Sequence, residues 1–306
     1  MTDATAKPAK SAEKPAKKKL GLLGEIAEMF KTVAYALLIA LVLRVVLFQP
    51  YTIPSASDEP NLYRGDYILV TKWSYGWSQK SVPFLDLMDT FLPGRLFFNP
   101  PKRGDIVVFK LPSDGHTDFI KRLIGLPGDR IQVRAGQLYI NGQPVKEQPL
   151  AQLPPAPTGL IEPSGVRGQV ETNPEGRRYV TQVYPGGQAP APIGSNADNT
   201  GVFVVPPHCY FMMGDNRDNS LDSRFDPHLS WDDKKLGGCG VDPSFLQADE
   251  PGVGFVPEEN LVGRAALVLF SWNTGPTDQQ PCCANVFLPW TWFMDARPDR
   301  FFRVIQ

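Results

Sequence analysis

Two serines in one short segment are the residues of this chain whose types and spacing best suit chemistry. Ser55 and Ser57 lie two residues apart, with Pro54 before them and Pro60 after. Because proline fixes φ and removes a backbone donor, the segment is predicted to be a rigid extended loop. Such a loop can hold a hydroxyl in one place, which a serine nucleophile requires. An ordinary Ser/Pro linker has the same composition, so the interpretation depends on whether the chain supplies a base.

A lysine is the best candidate for that base. Lys121 lies in residues 118–126, DFIKRLIGL, a run that predicts a strand. Residues two apart in a strand share a face, so Lys121 is placed with Phe119 and Leu123. Apolar neighbours deprive an ammonium group of hydration and favour the neutral amine, which can accept a proton. The alternative is a strand lysine whose stem lies over the core and whose amine reaches water.

Histidine is the other residue type that commonly activates a serine. The chain has three histidines, all in turn-like or loop contexts: His116, His208 and His228. A Ser-His-Asp triad needs an imidazole that a third group orients. None of the three lies in a local pattern that would orient its ring, so Lys121 is the favoured base.

A third segment, Gly214–Arg224, has the polar sequence GDNRDNSLDSR. Its acidic, amide, hydroxyl and guanidinium side chains predict a hydrogen-bonded loop. A calcium-binding loop would need a ligand where Arg217 stands, and it would need a turn glycine that is missing here. A salt-bridged turn is therefore the simpler interpretation. No motif in the chain implies a metal ion, a nucleotide or another cofactor.

The elements that must position these residues begin with an apolar segment. The run from Val33 to Phe48 is broken only by Arg44, and it reaches transmembrane length when the residues from Ile26 are included. We expect residues 26–48 to be an uncleaved transmembrane helix. A cleaved secretory signal would need a cut site between small residues, and a buried core helix would not carry a lysine-rich tail on one side only.

The tail itself, residues 1–25, is rich in lysine, alanine and proline and is predicted to be disordered. Its positive charge precedes the apolar segment, so the N-terminus is expected to stay in the cytoplasm. Residues 49–306 then lie on the far side of the membrane, and the loop with the two serines lies a few residues from the bilayer.

The composition of the rest predicts a mainly β protein. A net charge of -1 gives no reason to expect a nucleic-acid partner, and 31 prolines with 27 glycines suit a loop-rich β domain. We predict one antiparallel β-sheet domain, with a core of about 51–145 and 202–306 and an inserted β-subdomain of about 146–201. The predicted strands, including one hairpin, are Tyr67–Lys72, Asp105–Lys110, Asp118–Leu126, the hairpin Arg130–Val145, Val202–Met213 and Leu261–Trp272.

The four cysteines do not form a metal-binding pattern. Cys209, Cys239, Cys282 and Cys283 include no CxxC pair and no paired zinc spacing. Adjacent cysteines such as Cys282 and Cys283 rarely bond each other. Cross-pairing with Cys209 or Cys239 in an oxidising compartment is an option that the sequence leaves open.

Five blocks in order resemble the bacterial type I signal peptidases. They are IPSASDEPNLYRGDYILV (Ile53–Val70), KRGDIVVFKLP (Lys102–Pro112), DFIKRLIGLPGD (Asp118–Asp129), PPHCYFMMGDNRDNSLDSR (Pro206–Arg224) and GFVPEENLVGRA (Gly254–Ala265). A PSxS motif alone is weak evidence, but five blocks in the order of the family cover all the predicted core strands. The resemblance implies a membrane-bound serine endopeptidase of the bacterial inner membrane, with its catalytic domain in the periplasm.

The same resemblance implies roles for individual residues. Ser57 would be the nucleophile and Lys121 the general base of a Ser/Lys dyad. Ser55 would donate its hydroxyl to the oxyanion hole, and Ser220 would orient Lys121. Supporting these, Asp222 and Arg224 would form a structural ion pair.

The resemblance also implies the partners. Substrates would be secreted preproteins cut after small residues at positions -1 and -3, through an acyl-enzyme. We predict that Ile53, Tyr67 and Ile68 help to line the shallow apolar pockets such a rule requires. The other expected partner is inner-membrane lipid, and the protein is expected to be a monomer without a cofactor.

This chain departs from the family pattern most sharply at Asp58, where methionine is expected. A carboxylate there could repel the developing oxyanion or capture Lys121 as an ion pair, which would disarm the base. Asn61 replaces a common threonine, and the loop Asp226–Gly252 is longer than is usual in the family. The alternatives are therefore a catalytically impaired homologue that binds exported peptides, and a Ser/Lys protease dedicated to one secretion or conjugation substrate. A cytoplasmic self-cleaving repressor is disfavoured by the apolar segment and by the lack of a helix-turn-helix pattern.

Overall fold

The computed structural model describes residues 22–81, 94–157, 160, 165–184, 198–225, 239–240, 252–273 and 295–305. Several predictions fall outside these residues. They concern most of the N-terminal tail, most of the loop 226–252, and Cys282 and Cys283.

The first element is an apolar helix. Helix α1 runs over Leu22–Val42 and continues as a π-helical turn, Leu43–Leu47. The 24 residues of Gly24–Leu47 make one helix that is long and apolar enough to cross a membrane. Its large apolar side chains are exposed on every face of the helix. The chain divides into two compact units between Leu43 and Arg44, and all the strands belong to the second unit.

The second unit is built from short β-strands. In chain order the strands of the described residues are β1 (Phe48–Thr52), β2 (Asp66–Thr71), β3 (Ile106–Lys110), β4 (Asp118–Gly125), β5 (Arg130–Arg134), β6 (Gln137–Ile140), β7 (Gln143–Pro144), β8 (Lys146–Pro149), β9 (Arg167–Thr172), β10 (Arg178–Val183), β11 (Phe203–Val204), β12 (Cys209–Met213), β13 (Val256–Pro257), β14 (Leu261–Ser271) and β15 (Arg303–Val304). Short 3-10 turns occupy Lys72–Ser74, Glu258–Asn260 and Pro298–Arg300.

The main sheet has the order β1-β2-β14-β3-β4-β12-β13, with β15 added to β14, and all its pairings are antiparallel. Strand β14 is its longest member, with 11 residues, and contacts β2, β3 and β15. Its register shifts between Ala265 and Leu267 and again between Val268 and Phe270. Such bulges bend a strand and increase its twist. The prediction of a mainly β fold with an antiparallel sheet is therefore confirmed.

Two smaller sheets complete the unit. The order β11-β5-β6-β7 contains the hairpin predicted over Arg130–Val145. Its turns lie at Ala135-Gly136 and Asn141-Gly142, where all four residues have positive φ. This is the conformation that two-residue hairpin loops require. The order β10-β9-β8 lies within the predicted insertion 146–201, whose limits as a separate subdomain stay a prediction.

One predicted strand was wrong in its extent. Val202–Met213 is two strands, β11 and β12, because Pro206 and Pro207 lie between them and proline cannot donate to a ladder. The segment between them includes His208, which has a φ of 61°. Immediately after it Cys209 forms a disulfide with Cys239, a pairing that the sequence did not specify.

The apolar core lies on both faces of the main sheet. One cluster joins the first strands to β14: Ile53, Leu62, Ile68, Val70, Ile106, Val108, Val262, Ala265, Val268 and Ile305. Two other clusters lie around β12, one against the β5–β6 hairpin and one against Val107, Phe109 and Leu123. The core therefore holds β2 and β4 in place. Strand β2 follows the loop with the serines, and strand β4 carries Lys121.

Several buried ion pairs cross this core. The guanidinium of Arg122 on β4 donates to both carboxylate oxygens of Asp215, at 2.6 and 2.8 Å, and neither side chain is accessible to solvent. Arg217 donates to Glu171 at 2.6 Å, and Arg300 pairs with Asp66. A buried charge is costly without its partner, so each pair specifies which segments must lie together.

We therefore expect Arg122→Met to lower the Tm of the full chain in detergent micelles by roughly 10 °C, because Asp215 would lose its guanidinium inside the protein. Arg264→Met is the matched control, since the Arg264–Asp105 pair is 3.5 Å long and its arginine side chain is 42% exposed. That variant should shift the Tm by only a few degrees at most. Equal shifts in thermal unfolding monitored by circular dichroism would contradict the ranking.

Candidate active site

The two serines lie in a tight loop between β1 and β2. The loop is closed at its base by hydrogen bonds from Ile53 N to Asp66 O at 2.9 Å and from Gly65 N to Ile53 O at 3.0 Å. At its tip the amides of Asn61 and Leu62 donate to the Asp58 carbonyl, at 3.0 and 2.9 Å. The backbone therefore turns around Asp58 rather than remaining extended, which the prolines alone did not indicate.

Ser57 and Lys121 meet at the centre of this site. Lys121 lies on β4, opposite Val107 of β3, and its Nζ is hydrogen-bonded to Ser57 Oγ. Ser57 is 8% exposed and Lys121 is 4% exposed. The amine also lies 5.9 Å from the ring centroid of Phe119, one of the two apolar neighbours expected on its face. The structure thus brings together the two residues selected from the sequence, which are 64 positions apart.

Ser55 and Asp58 complete the immediate surroundings. Ser55 Oγ lies 3.3 Å from Ser57 Oγ on the exposed side of the loop. Asp58 Oδ2 lies 3.4 Å from Ser57 Oγ and 3.8 Å from Lys121 Nζ. Burial raises the pKa of the Asp58 carboxyl to about 6, although the nearby lysine partly opposes this rise.

The polar segment Gly214–Arg224 holds the loop from behind. The Asn216 amide N donates to the Ser57 carbonyl at 3.0 Å, and its side-chain Nδ2 donates to the Ala56 carbonyl at 3.1 Å. Next to it, Asp215 accepts a hydrogen bond from Asn61 Nδ2 at 2.7 Å. These contacts fix the carbonyl side of the nucleophile loop.

Asn61, Asn216 and Arg122 were therefore missed by reasoning from the sequence. Asn61 seemed a harmless replacement for threonine, yet it also donates to the Val180 carbonyl of β10 at 2.6 Å. The only signal for Arg122 was its position beside Lys121. A buried arginine in a strand requires a buried acid, and the structure identifies that acid as Asp215.

The expected ion pair between Asp222 and Arg224 is present, with two contacts of 2.9 Å. Asp222 Oδ2 also accepts from the Gly214 amide at 3.0 Å. Burial is the largest effect and would raise the pKa of Asp222, but the charge and hydrogen bonds of the Arg224 guanidinium, together with the backbone amides of Gly214 and Arg224, outweigh it and lower that pKa. The carboxylates of Asp215 and Asp222 are thus engaged by arginines. Within the residues described here, no group of three or more His, Cys, Asp or Glu is arranged to hold a metal ion.

Ser220 does not make the contact expected of it. Its Oγ is buried and has no hydrogen-bond partner among the described residues, so the link to Lys121 is not formed in this structure. The residue nonetheless lies beside the nucleophile loop. A Cβ built on Gly214 would collide with the Ser220 hydroxyl and would approach the Ser57 carbonyl oxygen to 2.5 Å.

The three residues suggested for substrate pockets do not share one face. Ile53 and Ile68 are almost completely buried in the same core cluster. Tyr67 alternates with Ile68 along β2, and its ring packs edge-on against Trp272 at 5.3 Å. They would therefore not line a single pocket, and their part in substrate binding stays a prediction.

Comparison with known proteins places this site in a family. The family model "Signal peptidase, peptidase S26" matches residues 26–272. A signal peptidase I of Rickettsia typhi is 34% identical over 286 residues, which cover 91% of this chain and 93% of the relative. The signal peptidase I of Rickettsia canadensis is 35% identical over 285 residues, with 90% and 92% covered.

Among solved structures, a signal peptidase I of Enterococcus faecalis matches 54% of this chain and 97% of its own, with 23% identity and a TM-score of 0.24. The family match covers most of the chain and includes the loop with Ser57, the strand with Lys121 and the polar segment 214–224. This chain belongs to the peptidase S26 family of signal peptidases.

Proposed function

We propose that this chain is a membrane-anchored serine endopeptidase that removes signal peptides from exported preproteins, with Ser57 as nucleophile and Lys121 as general base. The observation that carries the assignment is the buried hydrogen bond between Lys121 Nζ and Ser57 Oγ. A serine hydroxyl is a weak nucleophile unless a base within hydrogen-bonding reach takes its proton. Among the described residues, Lys121 Nζ and Asp58 Oδ2 lie within that reach, and an amine is the stronger base of the two.

The reaction follows from this pair. The Ser57 proton moves to Lys121 as Oγ attacks the carbonyl carbon of the scissile peptide, and the carbonyl electrons move to oxygen. The resulting ammonium then gives its proton to the leaving amine as the C–N bond breaks, which leaves an ester on Ser57. In the second half, water donates a proton to Lys121 and attacks the ester carbonyl carbon. Lys121 then returns the proton to Ser57 Oγ as the bond between that oxygen and the acyl carbon breaks, and the carboxylic acid product leaves.

The oxyanion formed in each half needs donors. The Ser57 backbone N–H and the Ser55 hydroxyl are our candidates, because Ser55 Oγ lies 3.3 Å from the attacking oxygen on the exposed side of the loop. Donors that are fixed before the reaction stabilise a developing charge most effectively. The hydrogen bonds from Asn216 to the carbonyls of Ala56 and Ser57 supply that fixation.

The remaining assignments concern the residues that support the dyad, the substrates and the orientation in the membrane. Ser220 is placed near the dyad and would orient Lys121 once substrate is bound, and the Asp222–Arg224 pair stiffens the supporting segment. Substrates would be preproteins with small residues at -1 and -3. The lysines before the apolar helix favour a cytoplasmic N-terminus, so the active site would face the periplasm from the inner membrane.

A second candidate function has one observation in its favour. Asp58 Oδ2 lies 3.8 Å from Lys121 Nζ, so the base has a buried carboxylate beside it. If that carboxylate keeps the lysine protonated, the chain would bind exported peptides without cutting them. A protease dedicated to a single secretion or conjugation substrate would have the same dyad, and only its substrate range would differ.

The dyad predicts that Ser57→Ala and Lys121→Met each reduce kcat/KM by at least about 10⁴-fold, because each removes a group that takes part in bond making. Cleavage of a preprotein with an Ala-x-Ala site, in detergent, measures this. Ser55→Ala should cost about 10²-fold to 10³-fold, the loss typical of one oxyanion donor. If the unaltered chain is inactive and Asp58→Met is active, the peptide-binding alternative holds instead.

The close contact behind Ser57 gives an independent prediction. Gly214→Ala should lower kcat/KM by about 10²-fold, since the added methyl group must displace the Ser57 carbonyl and with it the nucleophile. Gly142→Ala is the matched control. It also replaces a glycine, here with a φ of 79°, but nothing lies within 4 Å of the added carbon. Its activity per folded molecule should be unchanged, and a similar loss in both variants would refute the steric argument.

A further inference from the structure

We propose that Asp58 is a positioning residue of the dyad, whose carboxylate stabilises the ammonium form of Lys121 during catalysis. This inference rests on the proposed function and deepens it. It assigns a constructive part to the residue that departs most sharply from the family pattern. The same residue, considered from sequence alone, suggested a disarmed enzyme.

Asp58 lies close enough to Ser57 and Lys121 to act as a third member of the catalytic group. Its side chain is 1% exposed, and Oδ2 faces both Ser57 Oγ at 3.4 Å and Lys121 Nζ at 3.8 Å. The amides of Asn61 and Leu62 donate hydrogen bonds to the Asp58 carbonyl, so the backbone that carries the carboxylate is fixed in position. Oδ1 is buried and has no hydrogen-bond partner among the described residues. One oxygen is therefore directed to the dyad while the other is left without a competing partner.

Lys121 has few other groups to orient it. Within the described part of the chain, two polar side chains lie near its Nζ, those of Ser57 and Asp58. The Ser220 hydroxyl, expected to orient the lysine, has no hydrogen-bond partner there. An ammonium group has three donors, and one of them points to Ser57. Asp58 is the group placed to receive another when the distance of 3.8 Å shortens.

The charges around Asp58 determine when it is ionised. From β4 it faces Lys121 and Arg122, from the polar segment it faces Asp215, and within its own loop it faces Ser57. Burial is the largest effect and raises the pKa to about 6, while the two cationic residues oppose that rise and Asp215 adds to it. An acid with a pKa of about 6 is mostly ionised above pH 7. The carboxylate is thus charged in the pH range in which an amine can act as base.

Asp58 forms no covalent bond and transfers no proton during the reaction. Asp58 stays ionised while the proton moves from Ser57 Oγ to Lys121 Nζ and later from Nζ to the leaving amine. It favours the state in which Lys121 carries the proton, as the aspartate of a Ser-His-Asp triad favours the imidazolium. The same attraction also opposes the loss of a proton from the free amine, so removal of the Asp58 charge has two opposing effects on the rate.

These opposing effects give a signature in the pH profile. Asp58→Asn should move the ascending limb of kcat/KM to lower pH by roughly one unit, since an opposite charge at this distance favours the ammonium by that amount or more. On the alkaline plateau, where kcat/KM no longer changes with pH, the variant should be slower by about threefold because its base is weaker. A residue that only supported the fold would lower the rate at every pH without moving the limb.

Asp118→Asn is the matched control. Asp118 lies on the same strand as Lys121 and pairs with Lys110 at 2.9 Å, at a partly exposed position. Its removal also takes away one negative charge, but it should leave both the limb and the plateau unchanged. A limb that moves equally in both variants would show a general charge effect and would overturn the proposal. So would an Asp58→Asn variant that is faster at every pH.

A readout that does not need catalysis separates this inference from the proposed function. Competitive acetylation of the full chain in detergent, followed by mass spectrometry of the Lys121 peptide, reports how readily the amine loses its proton at each pH. In a Ser57→Ala background, adding Asp58→Asn should move the midpoint to lower pH by roughly one unit. Equal Tm values for the two proteins verify the fold. An inactive unaltered chain would refute the proposed function alone, whereas an unmoved acetylation midpoint would refute the role of Asp58.

Discussion

One buried carboxylate organises the active site. Asp215 accepts two hydrogen bonds from Arg122 and one from Asn61, and it is fully inaccessible to solvent. Arg122 is the neighbour of Lys121 in β4, and Asn61 lies four residues beyond Ser57. Because an unpaired charge is costly inside a protein, the strand with the base and the loop with the nucleophile must both approach Asp215. The next residue, Asn216, then holds the Ser57 carbonyl.

This arrangement explains why the polar segment 214–224 resembles an ion-binding loop without the spacing of one. Two of its three acids, Asp215 and Asp222, are paired with arginines, and the third, Asp218, accepts a hydrogen bond from the Tyr184 amide. Arg122 comes from β4 and Arg224 from the segment, while Arg217 of the segment reaches out to Glu171 of β9. The pairs join the main sheet, the nucleophile loop and the smaller sheet β10-β9-β8. The Arg122–Asp215 and Arg217–Glu171 pairs each limit where two segments can lie, whereas the Asp222–Arg224 pair lies within one segment.

Much of this could be predicted because local patterns carried it. The alternation around Lys121, the turn at Asn141-Gly142 and the apolar run up to Phe48 each indicate their structure from neighbouring residues alone. Residue types and the strand context selected Lys121 as the favoured base, but only the family resemblance specified Ser57 rather than Ser55 as its partner, since no local pattern specifies a contact across 64 positions. The partners of Arg122 and Asn61 are also long-range contacts. They depend on which acid is left buried when the sheet closes, which a single sequence does not state.

Two predictions of backbone structure were wrong because residue composition does not specify which backbone groups are hydrogen-bonded in the folded chain. The strand expected over Val202–Met213 and the rigid extended loop expected around Ser57 were both inferred from composition alone. In the first, Pro206 and Pro207 interrupt a run that is otherwise typical of a strand. In the second, the carbonyl of Asp58 accepts hydrogen bonds from the amides of Asn61 and Leu62, and the backbone turns there. Backbone hydrogen bonds formed by the folded chain determined the outcome in the loop.

The short connection between the apolar helix and the first strand has a consequence for substrates. Strand β1 begins at Phe48, directly after the last residue of the candidate span, so no flexible linker separates the two. Ten residues lead from Leu47 to Ser57, and a fully extended chain of that length reaches about 35 Å. Ser57 therefore lies no further than about 35 Å from Leu47. If the span is embedded in lipid, as we propose, a cut site further than this from the end of the span is out of reach of Ser57, whatever its sequence.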